Sequence, residues 1–259
     1  MTILPPESPP RRRGCATRLI ALLLIAFVGF AGFQAVGLAV DDLRWLRDRA
    51  LAEAEALVGD QATVSDGMDG HAGSGGDGYS FSAVQPDGVS PVTWPCEGTI
   101  RIEINPEGAP EGHAELVAEA VDRINAASGF TFEIVGQSDD RDFLDRRPGP
   151  VLLGFADADE VEHLDGPIAG VGGSLYASAP GESAFTSVGG MVVLDEAAFG
   201  RRMSDATAEA IIMHELAHVL GLGHTDARGQ LMRGTNTFQV DFGEGDRAGL
   251  TALREHACS

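Results

Sequence analysis

The chain has no lysine: its 18 basic residues are all arginine, set against 39 aspartates and glutamates for a formal net charge of −21. A nucleic acid would meet no cationic track on such a surface, so no nucleic-acid partner is expected. The acidity itself serves either attraction of basic substrates or solubility. Arginine-only basic composition with abundant Ala, Gly and Asp fits a GC-rich microbial genome or a salt-adapted organism. Large apolar residues are scarce over 59–90, where Gly, Asp and Ser dominate. That stretch cannot bury enough surface to offset the entropy of ordering, and the sequence predicts a flexible stalk over 59–92. His71 within it reads as an incidental polar residue.

Before the stalk the composition reverses. Residues 19–40 form an apolar run broken only by Gln34, with Arg11, Arg12, Arg13 and Arg18 before it and Asp41 and Asp42 after it. That length crosses a bilayer, and it predicts a transmembrane anchor behind a basic cytoplasmic N-terminus over 1–18. Ala35-Val36-Gly37 would also serve as the cleavage site of a signal peptide, and either reading exports the rest of the chain. Arg44, Arg47 and Arg49 on the far side partly offset the charge asymmetry. Residues 41–58 place Leu and Ala at helical spacing and read as a juxtamembrane helix.

The chemistry is concentrated in residues 214–224, His-Glu-Leu-Ala-His-Val-Leu-Gly-Leu-Gly-His. Residues four apart share one face of a helix, so His214 and His218 can present two imidazoles to one metal ion. Glu215 lies beside that metal without ligating it, placed to take a proton from activated water and hand it to a leaving amine. Gly221 tolerates positive φ, which lets the helix stop sharply and return His224 as a third ligand. Three protein ligands leave a position open, the mark of a catalytic zinc site. A lone HExxH arises by chance in amphipathic helices; the added glycine and third histidine in register make this one specific.

This string, followed by Leu231-Met232-Arg233, resembles the metzincin metallopeptidases and within them the matrixin-like branch. Met232 stands eight residues after His224, where that family places the methionine beneath the metal. The resemblance implies an α+β zincin-like catalytic domain over 93–259, a twisted, mostly parallel sheet over two long helices with a small C-terminal subdomain. It implies a zinc-dependent endopeptidase acting on protein or peptide substrates. An alternative keeps the metal for stability in a surface-tethered binding module without turnover, and retention of Glu215 argues against it.

Departures from the family are visible too. Between His113 and His214 the only histidine is His163, so a second, structural zinc is not expected, and one catalytic zinc is. The acidic stretch Asp157, Asp159 and Glu160 is a candidate calcium site or an ordinary solvated loop. No tyrosine follows the methionine turn. Cys96 and Cys258 flank the presumed catalytic domain and suggest one disulfide, formed in an oxidising compartment; Cys15 has no assigned role. The rival reading makes Pro95-Cys96-Glu97-Gly98 a latency switch with its thiolate on zinc. No propeptide is legible, and nothing in the sequence specifies an oligomeric state.

Periodicity supplies the elements. Strands are expected over 99–104, 130–135, 151–155 and 190–195, and helices over 110–127 and 246–256, with Ser204 or Asp205 capping the zinc-bearing helix. The Gly-rich segment 168–177 lies where the resemblance puts the edge strand over the cleft, able to pair with an extended peptide; it reads equally as a glycine-rich loop without a substrate role.

Overall fold

The computed structural model describes residues 62–66, 75–200, 203–235 and 239–259. The predicted anchor 19–40, the helix expected over 41–58, Cys15 and His71 lie outside the described residues. No helix among the described residues is long and apolar enough to cross a membrane.

In chain order the strands are β1 (Ala62–Asp66), β2 (Ser80–Phe81), β3 (Ile100–Ile104), β4 (Phe132–Gln137), β5 (Val151–Ala156), β6 (Gly170–Ser178), β7 (Phe185–Asp195) and β8 (Leu222–Gly223). The helices are α1 (His113–Ser128), α2 (Glu196–Phe199), α3 (Asp205–Leu220) and α4 (Glu244–Ala257). Six strands form one sheet in the order β1-β6-β7-β5-β3-β4. β4, β3, β5 and β7 run parallel, whereas β6 pairs antiparallel with β7 and with β1.

Burial explains the parallel centre. Val151 to Ala156 is apolar and buried at every position, as expected of a strand covered on both faces. β3 instead alternates, with Ile100, Ile102 and Ile104 inward. α1 lays Val117, Ala120, Val121 and Ile124 into the same core and stops at Gly129, whose φ of 71° closes the helix. α3 packs against α1 and β6 and is buried on nearly every side. Its start is fixed by Ser204, whose Oγ accepts the Thr207 N–H at 3.2 Å.

The stalk segment and the start of β7 both depart from the sequence expectation. The stretch expected to be a flexible stalk belongs in large part to the folded domain. Phe81 and Val92 are buried, β2 pairs with β8, and Ser82 is held by Gly221 through its N–H at 2.9 Å and by Leu222 through its Oγ at 2.6 Å. Two aromatics, Tyr79 and Phe81, provide the anchorage that a glycine-rich average conceals. β7 also begins five residues before the predicted strand, because its polar first half gains backbone partners on β6 and Gln85 Oε1 accepts the Phe185 N–H at 2.8 Å.

Cys96 and Cys258 form a disulfide that joins the approach to β3 with the end of α4. Cys96 is therefore no latency thiolate. Arg254 reinforces the junction, donating to the Cys96 carbonyl at 2.5 Å while its guanidinium lies 5.1 Å from the Phe130 ring centre.

Candidate metal centre

α3 carries His214 and His218 one turn apart, and its end decides where the third histidine goes. Gly221 adopts φ 118°, a conformation that L side chains rarely take, and its N–H closes on the Ala217 and His218 carbonyls. The chain then turns back through β8, and His224 faces the helix. Ser80 Oγ donates to the His224 carbonyl, so the segment expected to be a stalk helps to hold the third histidine.

The three Nε2 atoms lie 3.1, 3.2 and 3.2 Å from one another. A tetrahedral zinc with nitrogen ligands at about 2.0–2.1 Å sets its ligand atoms about 3.3 Å apart, so the triad has the spacing of a zinc site. The tautomers agree. His214 Nδ1 lies 2.8 Å from the Leu231 carbonyl and His218 Nδ1 lies 2.7 Å from the Leu222 carbonyl. Each Nδ1 must donate there, which leaves its Nε2 lone pair directed at the common point. Burial and the neighbouring imidazoles lower the pKa of His214 to about 4 and hold His218 well below the ordinary value. Both rings stay neutral, as metal ligation requires. Among the described residues this is the only cluster of His, Cys, Asp or Glu able to hold a metal ion.

The acidic loop is otherwise engaged. Arg141 grips both oxygens of Glu160, at 2.7 and 2.5 Å, and Asp157 Oδ1 accepts the N–H groups of Asp159 and Glu160 at 3.0 and 3.1 Å. Glu160 is thus already neutralised by a guanidinium, and the Asp157 carboxylate closes its own turn.

Glu215 is only 6% exposed. Burial pushes its pKa up to about 8, with no hydrogen bond or ion pair acting against the shift. A cation on the adjacent triad would draw that value back down. Its surroundings explain the glycines of β6: a Cβ on Gly170 would stand 3.0 Å from the Glu215 side chain, and one on Gly172 would collide with the Glu215 backbone. The helix packs so closely beneath the strand that only glycine fits at 172.

The cleft over this site encloses about 840 Å³. Gly170, Val171 and Gly172 of β6 line it, with Glu215 and the three histidines, and Ile211, Arg233 and Val240 contribute further wall. β6 does not form the sheet's outer edge as expected, because β1 lies outside it.

Met232 is fully buried in the core and its carbonyl accepts the Thr225 N–H at 2.9 Å. Asp246, a residue that sequence reasoning placed only at a helix start, is what fixes this turn. Its buried carboxylate accepts N–H groups from Leu231 at 2.5 Å, Gly243 at 2.8 Å and Met232 at 3.3 Å. An acidic residue in a first turn is what any helix N-terminus favours, so the sequence signal for this role is weak. His113 and His163 stand outside the triad.

The matrixin family profile matches residues 100–253, which contain both the sheet's parallel strands and the histidine triad. No match to a curated protein accompanies it. The chain belongs to the matrixins and is a zinc metalloendopeptidase.

Proposed function

We propose that the protein is a membrane-anchored peptidase that cleaves extracytoplasmic proteins, with His214, His218 and His224 holding one zinc ion, Glu215 acting as catalytic base, and Gly221 and Met232 supporting the metal site. The observation that carries this reading is the Glu215 carboxylate, buried beside the triad with no hydrogen-bonding partner among the described residues. A structural carboxylate at that depth is normally paired, and an unpaired one opening on a cleft suits proton transfer.

Zinc, when bound, polarises the scissile carbonyl and acidifies the attacking water. Glu215 takes the proton released on attack and returns it to the departing amine. The close approach of β6 at Gly170 and Gly172 to Glu215 limits hydration of the carboxylate, which keeps it basic enough for the task. Gly221 sets the turn that delivers His224, and the buried Met232 underlies the loop whose Leu231 carbonyl orients His214.

Export is supported by the apolar run 19–40 and by the Cys96–Cys258 disulfide, a bond that persists in oxidising compartments. Stripping the metal from the full chain with a chelator should abolish cleavage of a mixed peptide library, and stoichiometric zinc should restore it. Undiminished cleavage by the metal-free protein would refute the reading.

A further inference from the structure

β1 pairs antiparallel with the outer edge of β6, placing Ala62 opposite Ala177, Val64 opposite Leu175 and Asp66 opposite Gly173. The inner edge of β6 is taken by β7. The cleft is lined by Gly170, Val171 and Gly172, the three residues that immediately precede Gly173 on the same strand. β1 therefore ends where the cleft-lining stretch of β6 begins.

An open strand edge offers alternate N–H and C=O groups to any extended backbone. A peptide lying on Gly170–Gly172 in the antiparallel sense that β1 adopts would run, on the N-terminal side of its scissile bond, into the positions that β1 holds. Two strands cannot use one edge. Thr63 and Val64 give the resident strand β-branched character suited to pairing. Because it is tethered to the same chain, it competes as an intramolecular ligand at an effective concentration far above that of a dilute substrate.

We propose that residues 62–66 are an intramolecular occupant of the substrate edge of β6, so that the chain's own strand limits how far a bound peptide extends upstream of the scissile bond. This inference rests on the reading of the cleft as a peptidase site. It assigns the protein substrates whose recognition needs few residues upstream of the cut, and it makes displacement of β1 the step that admits longer ones.

The test uses the full chain with Thr63→Pro and Val64→Pro together. Successive N–H groups of a strand point to opposite sides, so two adjacent prolines remove a donor to β6 whatever the phase. Paired peptides sharing one cleavage site, with and without five extra residues on the N-terminal side, are compared on both proteins. In the wild type the extension should leave kcat/KM unchanged; in the double variant it should raise it about tenfold or more, because the tethered competitor is gone. An equal response to the extension in both proteins would overturn the proposal. Amide exchange of residues 173–177, recorded without substrate, separates this claim from the peptidase reading. Outward amides protected in the wild type and exposed in the double variant support the proposal whether or not any peptide is cut, and their rapid exchange in the wild type overturns it.

Discussion

Asp246 and His214 are joined through one residue, Leu231, whose N–H donates to the buried carboxylate at 2.5 Å and whose carbonyl accepts from the imidazole at 2.8 Å. The carboxylate fixes Leu231, and the Leu231 carbonyl fixes the tautomer of a metal ligand. Asp246→Asn keeps the shape but turns an NH2 group toward donors. It should cost about 1–3 kcal/mol of stability, from a buried donor left without an acceptor, and weaken zinc binding about 10–100-fold, as loss of a ligand-orienting group does. Denaturant unfolding and a zinc competition titration check the two effects.

The same residue gives a pH dependence. Burial holds the Asp246 carboxyl above its ordinary value of 3.8, although three N–H donors pull it down. A carboxyl with a raised folded pKa binds its proton more tightly in the folded protein. Its contribution is therefore fullest below the unfolded value and declines as pH rises through the folded one. The stability margin of wild type over Asp246→Asn should narrow as pH is raised from 3.8, which melting curves at a series of pH values would record.

Gly221→Ala should be harmful out of proportion to its size. The backbone conformation at φ 118° costs an L-residue about 1–2 kcal/mol, and the new Cβ would stand 2.7 Å from the Val92 carbonyl. Relief of that contact displaces β8 and with it His224. Zinc content of the purified variant should fall well below one equivalent.

Removing the disulfide should affect stability and leave chemistry alone. Cys96→Ser with Cys258→Ser opens a loop spanning 162 residues, and about 2–5 kcal/mol should be lost in denaturant unfolding. The kcat/KM of protein that remains folded should be unchanged, since neither cysteine lines the cleft.

Arg233 lines the cleft and brings a guanidinium to its wall. Peptides carrying Asp or Glu within its reach should be cut about tenfold better than neutral ones, the worth of one charge-assisted contact of about 1.4 kcal/mol. Arg233→Glu should reverse the preference toward basic peptides, read as kcat/KM over a charge-varied series.

The metal site was the most legible part of the chain because its geometry is local. Three histidines, a glutamate and a turn-forming glycine lie within eleven residues, where helical periodicity aligns His214 and His218 and the turn at Gly221 returns His224. The parallel strands and α1 were legible for a similar reason, their apolar spacing being regular. What the sequence hid depends on contacts far along the chain. Tyr79 and Phe81 sit in a glycine-rich stretch that looks disordered until β8 and α4 supply surfaces for it. Asp246 is one acidic residue among many until the methionine turn folds back onto it. β1 has no amphipathic signal of length, and only the free edge of β6 gives those five residues a partner.

The most direct test of the account is peptide cleavage by the purified full chain beside Glu215→Ala, with the zinc content of both determined. About one zinc per chain is expected in each protein and cleavage by the wild type alone, with kcat in the variant reduced by at least the 10²–10⁴-fold that a general base contributes. Zinc-loaded Glu215→Ala that cleaves as fast as the wild type would contradict it.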